Sequence, residues 1–427
     1  MTYNEAIQFL YDLRLFGAKL GLSNTLKLAE LAGNPHRALK FIHVAGTNGK
    51  GSTCAMLESV YRTAGLRVGL YTSPHLIAFG ERIQINRELI TTEEIVRLVM
   101  EMQPLLRQFP SDKHPTFFEV TTIMALRYFA AKKCDLVIWE TGLGGRLDAT
   151  NIVTPLASVI TNVHYDHQQW LGETLVSIAS EKAGIIKQGI PVLTAALAPE
   201  ALKVIEEKAH AENAPLIRVT EADTNLPPLG TIELPLRGQH QRLNAALAVA
   251  TVRALAGQLP VNEQTLRAGL SRLDWPGRLQ MITRPSGQRL LLDGAHNLGG
   301  AETLAAALRQ SDTGERPVLI LGILQDKDWQ GISRILAPLA SRIFLAPVNS
   351  ERTARTDELQ ASCRETNPSA ETVVCDTVAQ ALERTRNERF VVVTGSLYLV
   401  GEVLEYLQEK HNPVLRERSL NEWSAKV

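Results

Sequence analysis

Short apolar, β-branched runs alternate along this chain with longer segments of helical periodicity. This alternation predicts an α/β fold with a mainly parallel sheet, because parallel strands need helical crossovers between them. Several runs are apolar at successive positions, as expected for strands that helices cover on both faces. The first series of predicted strands covers residues 41–45, 68–72, 136–140, 157–162 and 191–194, with helices at 52–64, 92–106, 119–131 and 177–186.

A second series of predicted strands begins later in the chain, at residues 289–293, 318–322, 343–346, 373–376 and 390–394, with a helix at 300–310. The segment 275–288 between the two series is rich in Pro, Gly and Ser, which is typical of a domain boundary. We therefore expect a larger N-terminal α/β domain at residues 1–278 and a smaller, Rossmann-like α/β domain at 279–427. The polar residues after Asn412 are expected to form a mobile end.

Composition argues against several classes of protein. The 427 residues contain 45 Lys plus Arg and 45 Asp plus Glu, so the basic excess of a nucleic-acid or anionic-membrane binder is lacking. The N-terminus does not read as a secretory signal, and no apolar stretch approaches the roughly 20 residues of a membrane span. The four cysteines show no paired metal spacing and are expected to be small buried hydrophobes. We expect a cytoplasmic protein without nucleic-acid or membrane partners.

The segment from Gly46 to Ser52 reads GTNGKGS and joins a predicted strand to a predicted helix. Glycines allow backbone N–H groups to approach phosphate oxygens, and the helix N-terminus adds partial positive charge. Lys50 would reach the β- and γ-phosphates, and the Ser52 hydroxyl could help to hold Mg²⁺. The spacing departs from the usual phosphate loop because the first glycine comes late and Gly51 separates the lysine from the hydroxyl. A ligand-free turn is the alternative, but the combined features favour nucleotide binding.

Polar side chains follow the predicted strands where a ligand would bind in such a sheet, namely Ser73, Glu140, Asp166 and His167. A carboxylate that ends an apolar strand near a phosphate loop is placed to meet Mg²⁺ bound to a triphosphate. Each residue alone is explained as an ordinary polar loop residue, whereas their succession favours a metal site. Lys182 reads, on its local sequence, as an exposed helix lysine.

An ordered set of motifs then makes the pattern specific. These motifs are AGTNGKGS ending at Ser52, YTSPH ending at His75, ETGLGGRLDATN from Glu140, Asp166-His167, EKAGI from Glu181, PGR ending at Arg278, DGAHN from Asp293 and TGS ending at Ser396. Over residues 20–400 the chain resembles the folylpolyglutamate synthase and dihydrofolate synthase family, within the Mur-ligase group. The resemblance implies an N-terminal P-loop ATPase and folate-binding domain and a C-terminal glutamate-binding domain.

The resemblance also implies a role for each matching residue. ATP would be bound by Thr47, Asn48, Gly49, Lys50, Gly51, Ser52, Asn244, Arg278 and Asp293. One Mg²⁺ would be held by Ser73 and Glu140, and a second by Glu140 and His167. The pterin would contact Thr116, Phe118, Asp148 and Ala149, and the incoming glutamate would contact His296 and Ser396. Lys182 matches a lysine that the family carries as a carbamate, and it joins Lys50, Glu140 and His167 as the expected catalytic set. Lys19 stands where bifunctional members often have an acidic residue.

The implied reaction is ATP-dependent addition of L-glutamate to dihydropteroate, to folate (poly)glutamates or to both, through an acyl phosphate. The expected partners are therefore small molecules, and the chain is expected to be a monomer. Another Mur-type ligase is the nearest alternative, although the Ser73-Pro74-His75 and Asp148-Ala149 segments favour folate. A P-loop kinase or nucleotide-driven switch is a more distant alternative, and neither would require an amino acid as a substrate.

Overall fold

The computed structural model describes residues 1–17, 21–310, 316–408 and 417–421, so Lys19 lies outside the described residues. The chain forms two compact units. The first comprises Met1–Pro235, Gln241–Asp274 and Val414–Val427, and the second comprises Leu236–His240 and Trp275–Pro413. The boundary that the sequence predicts between residues 278 and 279 lies close to the passage from Asp274 to Trp275. Within the described ranges, no helix has the length and apolar character that crossing a membrane requires.

The first unit is built on an eight-stranded sheet with the order β4-β3-β2-β5-β1-β6-β7-β8. Its pairs are parallel except for those of β3 with β2 and with β4. The strands are β1 (Phe41–Ala45), β2 (Val68–Tyr71), β3 (Ile83–Ile85), β4 (Glu88–Leu89), β5 (Leu136–Glu140), β6 (Ala157–Ile160), β7 (Val192–Thr194) and β8 (Leu216–Arg218).

Helices pack on this sheet because its central strands are apolar at successive positions and buried throughout. The helices up to the second sheet are α1 (Tyr3–Asp12), α2 (Ser23–Leu31), α3 (Lys50–Thr63), α4 (Thr92–Leu106), α5 (Phe117–Ala131), α6 (Gln168–Leu171), α7 (Leu175–Ala183), α8 (Pro199–Ala211), α9 (Gln239–Ala254) and α10 (Glu263–Ser271). One large core cluster includes the buried aromatic side chains of Phe41, Tyr71 and Trp139. Helix α10 packs closely on α3, where Ser59 Oγ donates to Gly269 O at 2.7 Å.

The second unit is built on a six-stranded sheet with the order β13-β12-β11-β14-β10-β9. Only β9 pairs antiparallel to its neighbour, β10. The strands are β9 (Gln280–Thr283), β10 (Arg289–Leu292), β11 (Val318–Leu321), β12 (Arg342–Leu345), β13 (Glu371–Val374) and β14 (Phe390–Thr394). The helices are α11 (Leu298–Arg309), α12 (Trp329–Leu336), α13 (Thr356–Thr366), α14 (Val378–Arg384) and α15 (Leu397–Leu407).

The predicted α/β class with mainly parallel sheets is confirmed. Strands β3, β4, β8 and β9 were not expected, and all of them lie toward sheet edges, where a short strand carries a weak hydrophobic pattern. The expectation of a mobile end after Asn412 is wrong for residues 417–421. That segment forms a 3₁₀ turn in which Leu420 and Asn421 are buried.

Candidate functional site

The glycine-rich turn joins β1 to α3, and its shape is fixed by the residues that follow β6. Thr47 N donates to Asn162 O at 2.9 Å, and Asn48 N donates to the side-chain oxygen of Asn162 at 2.8 Å. Thr161 Oγ1 donates to Asn48 O at 2.6 Å. Gly46, with a φ of +149°, packs so tightly that an added Cβ would lie 1.9 Å from Thr161 Oγ1. The turn is thus braced by the neighbouring strand end.

Helix α9 braces the other side of the same turn. Gly49 has a φ of +84°, and a Cβ added there would lie 2.5 Å from Asn244 Oδ1. Asn244 Nδ2 donates to Gln241 Oε1 at 3.1 Å, and Gln241 Nε2 donates to Ser52 Oγ at 3.3 Å. The structure therefore brings together Asn244 and the phosphate turn, which are about 200 residues apart in the sequence.

Two lysines lie beside the turn. Lys50 is the first residue of α3, and its ammonium donates to Gly46 O at 3.1 Å and to Thr47 O at 3.2 Å. Lys182, from α7, donates to Gly46 O at 2.9 Å and is buried, with only 3% of its surface exposed. Burial, reinforced by the positive charge of Lys50, lowers the pKa of Lys182 to about 7. Its local sequence reads as an exposed helix lysine, and that interpretation is wrong.

The strand-end residues Ser73 and Glu140 lie together. The backbone N–H of Ser73 donates to Glu140 Oε2 at 3.0 Å, and Glu140 is buried. Burial first, and then the charge of Glu140, raise the pKa of the Cys54 thiol, whereas Lys50 lowers it. Glu140 pairs in register with Val44 of β1, the strand that leads into the phosphate turn, so its carboxylate lies at the strand end next to that turn.

His167 does not follow β2 or β5 as Ser73 and Glu140 do; it immediately precedes α6. It has a φ of +51°, its N–H donates to Asp166 Oδ1 at 2.9 Å, and its Nε2 lies 3.8 Å from that oxygen. Within the described part of the chain, no group of three or more His, Cys, Asp or Glu side chains is placed to hold a metal. A magnesium ion that keeps several waters and phosphate oxygens needs only one or two protein ligands, and the hydroxyl and carboxylate of Ser73 and Glu140 are of the type that it prefers.

The aromatic side chain of the predicted pterin pocket lies against a glycine. A Cβ added to Gly142 would lie 2.5 Å from the Phe118 ring, so the backbone after β5 forms the surface on which this ring packs. Thr116 is the N-cap of α5, and its hydroxyl accepts from Glu119 N at 3.3 Å while Glu119 Oε2 accepts from Thr116 N at 2.7 Å. Thr116 is buried, and its hydroxyl serves in this helix cap.

Asp148 organises its own loop. Its carboxylate accepts from Leu143 N at 2.7 Å, from Thr150 N at 3.0 Å and from the Thr150 hydroxyl. His43 Nε2 lies 2.9 Å from that same hydroxyl, and because the hydroxyl already donates to Asp148, the histidine must be the donor. Burial lowers the pKa of His43 to about 3, so this ring is neutral. The side chains of Asp148 and the buried Ala149 thus lie in a tightly bonded turn, and their expected pterin contacts stay predictions.

The remaining expected residues lie in the second unit. Asp293 follows β10, and its carboxylate accepts from Leu279 N and Ala295 N, each at 2.9 Å. Arg278 lies against Gly294, where an added Cβ would be 2.6 Å from a guanidinium nitrogen. His296 Nδ1 donates to Gly294 O at 2.7 Å, and Ser396 is the buried N-cap of α15. The same Gly294 approaches Leu397, so this glycine brings the loop of His296 near the turn of Ser396.

Sequence reasoning missed Gln241, Thr161 and Asn162, which hold the phosphate turn through the contacts described above. No local motif marks them. Thr161 and Asn162 do end an apolar run that the sequence predicts as a strand, and that position at a strand end was their only signal.

Comparison with known proteins gives two family matches. The Mur ligase middle domain matches residues 44–252, and the glutamate ligase domain of Mur ligases matches residues 277–397. Among curated relatives, the dihydrofolate synthase/folylpolyglutamate synthase of Bacillus subtilis is 36% identical, covering 95% of this chain and 99% of its own. The Escherichia coli protein of the same name is 33% identical, covering 95% and 96%.

Solved structures agree with these matches. The folylpolyglutamate synthase of Thermotoga maritima is 36% identical, with a TM-score of 0.83 over 97% of this chain and 98% of its own. The Escherichia coli FolC protein in complex with DHPP and ADP is 31% identical, with a TM-score of 0.85 over 96% and 99%. This chain is therefore a ligase and belongs to the folylpolyglutamate synthase/dihydrofolate synthase family, with the middle and C-terminal domains of Mur ligases.

Proposed function

We propose that this chain adds L-glutamate to dihydropteroate and to folates that already carry glutamate, and that it does so through an acyl phosphate formed from ATP. The observation that carries the proposal is the braced turn Gly46–Lys50, with the Lys50 ammonium and the side-chain nitrogen of Lys182 beside it. Relatives that align with nearly the whole chain support the choice of acceptor, since one of them was solved in complex with DHPP and ADP. We take the chain to act as a monomer on small molecules.

The first step makes the acceptor reactive. A carboxylate oxygen of the acceptor attacks the γ-phosphorus of ATP, the bond to the β-phosphate oxygen breaks, and ADP leaves. In the structure the Lys50 ammonium contacts two carbonyls of its own turn. Bound phosphate oxygens would replace these carbonyls as acceptors, so that Lys50 balances the charge that develops on the transferred group. The N–H groups of Thr47 and Asn48 already bond the β6 strand end and therefore hold the shape of the turn.

The second step forms the amide. The neutral amine of glutamate attacks the acyl carbon, a tetrahedral intermediate forms, and phosphate leaves as the amine loses its proton. We propose that His296 and Ser396 bind this glutamate and that Arg278, Asp293 and Asn244 contact ATP. Phe118 offers its ring to the pterin as a stacking surface, and the Gly142 backbone that packs against the ring holds it in place.

Ser73 and Glu140 fit a magnesium site, because they supply a hydroxyl and a buried carboxylate at the strand ends beside α3. We propose that they hold one Mg²⁺ and that Glu140 with His167 holds a second. When bound, the metal neutralises charge on the phosphates.

Lys182 is proposed to carry a carbamate. Carbamylation requires the neutral amine, and a pKa of about 7 makes that form abundant near neutral pH. The carbamate of Lys182 is an anion and would therefore attract the Lys50 ammonium instead of repelling it. Protein incubated with ¹³C-bicarbonate should show one carbamate carbon by NMR, and the Lys182→Met variant should lack it. An identical spectrum for both proteins would reject this assignment.

The experiment that tests the function measures ADP release with Mg-ATP, with and without glutamate, offering dihydropteroate or tetrahydrofolate. We expect release that requires glutamate with both acceptors. Release with only one acceptor would restrict the proposal to that activity. If neither acceptor supported release, although the protein bound ATP, the folate assignment would be wrong and other Mur-type acceptors would be tested.

A further inference from the structure

The segment Glu417–Asn421, here called the C-terminal segment, packs against the loop that follows β2. It belongs to the first unit, although the second unit precedes it in the sequence. Leu420 and Asn421 are buried, with 1% and 7% of their surfaces exposed. The loop concerned runs over residues 72–82 and includes Ser73.

A closed ring of hydrogen bonds joins the segment to this loop. Arg82 Nε donates to His75 Nδ1 at 2.8 Å, and the guanidinium also donates to Asn421 Oδ1. Asn421 Nδ2 in turn donates to His75 O at 2.9 Å. Because His75 Nδ1 accepts from Arg82, the ring proton of this histidine must be on Nε2, which donates to Glu417 O at 2.9 Å. Asn421 and Glu417 therefore contact His75 from both its backbone and its ring.

Glu417 fixes a second point of the loop. Its Oε2 accepts from Phe79 N at 2.7 Å. The Tyr3 hydroxyl of α1 donates to the same carboxylate. The loop also has its own internal brace, because Glu81 accepts from the backbone N–H groups of Leu76, Ile77 and Ala78. Because Glu81 fixes the internal shape of the loop, the contacts with the C-terminal segment determine the position of the loop as a whole.

The anchored loop leads directly to the candidate site. Thr72 N donates to Arg82 O at 3.1 Å, and the next residue, Ser73, donates to Glu140 at 3.0 Å. The Arg82 guanidinium also lies 5.3 Å from the centre of the Phe117 ring. Phe117 is the residue immediately before Phe118 of the proposed pterin pocket. One buried arginine thus connects the C-terminal segment with the start of α5 and with the Ser73 turn.

We propose that the C-terminal segment is a positioning element for the ligation reaction. Asn421 and Glu417, acting through Arg82 and His75, hold the start of α5 at the proposed acceptor pocket and the Ser73 turn at the proposed Mg²⁺ site. This inference rests on the proposed function. The phosphate turn has separate braces from β6 and α9, so at saturating Mg²⁺ losing the segment should impair use of the acceptor far more than use of ATP.

Asn421→Ala in the full chain is the test, with Asn367→Ala as its matched control. Asn367 is similarly buried, with 5% exposed, and donates to Ala337 O at 2.7 Å and Ala340 O at 3.1 Å in the second unit. Both variants should lose comparable stability. Only Asn421→Ala should raise the acceptor KM, by about tenfold, with the KM for ATP at saturating Mg²⁺ within about twofold. It should also speed amide hydrogen exchange in residues 72–82 of the ligand-free protein.

Asn421→Asp separates the two bonds, because it keeps an acceptor for Arg82 and loses the donor to His75 O. We expect an intermediate acceptor KM, and this variant carries the test if Asn421→Ala does not fold. Equal KM values for the Asn421 and Asn367 variants, in a background where the wild-type chain ligates glutamate, would overturn the positioning role alone. A wild-type chain without glutamate-dependent ADP release would instead overturn the proposed function.

Discussion

Replacing Lys182 with methionine should change how stability depends on pH. Burial and the charge of Lys50 lower the pKa of Lys182 to about 7, whereas an unfolded lysine titrates near 10.4. Between these two values the unfolded chain binds more protons than the folded chain, so this lysine makes stability rise with pH. From pH 7 to pH 9 the two pKa values give a gain of about 2 kcal/mol in the free energy of unfolding. Lys182→Met is similar in length and cannot titrate.

Urea unfolding of both proteins at pH 7, 8 and 9, in carbonate-free buffers, measures this gain as a difference between wild type and variant. Other titrating groups are common to both proteins and cancel to first order. We expect the stability of the variant relative to wild type to fall by about 2 kcal/mol over this range. A difference that stays constant with pH would refute the argument that Lys182 is held neutral by its surroundings.

Three further predictions concern the site. Gly49→Ala should weaken ADP binding, measured by calorimetry, by about tenfold, because φ at Gly49 is +84° and the new Cβ would meet Asn244. Gly65→Ala is the control: Gly65 has a similar φ of +89° but open space around it, so this variant should bind ADP as wild type does. Phe118→Ala should raise the acceptor KM by about tenfold with an unchanged KM for ATP, through loss of a stacking face, and an unchanged acceptor KM would contradict the pocket. Glu140→Ala should abolish ADP release while circular dichroism stays native, and near-normal turnover would remove Glu140 from the metal site.

The central strands could be predicted because their pattern is strong and local. The strands Phe41–Ala45, Leu136–Glu140 and Phe390–Thr394 and helix α4 have the predicted bounds. The glycines of the phosphate turn and the carboxylate at Glu140 follow from strand position, since ligands of such sheets gather beyond the strand ends. Edge strands such as β8 are short and partly exposed, which leaves little periodic signal to read.

Long-range contacts explain what local pattern could not reveal. Lys182 has an ordinary helical neighbourhood in sequence, and only packing of α7 beside Gly46 buries it. Asn421 lies in a polar tail, and its burial depends on a partner, Arg82, that is 339 residues away. Local periodicity carries no information about such partners.

The measurement that tests the account most directly follows oxygen from the acceptor. Dihydropteroate labelled with ¹⁸O in its carboxylate is converted with Mg-ATP and glutamate, and the released phosphate is analysed by mass spectrometry. Ligation through an acyl phosphate predicts one ¹⁸O atom in each phosphate released per amide formed. Amide formation with unlabelled phosphate would contradict the acyl-phosphate mechanism.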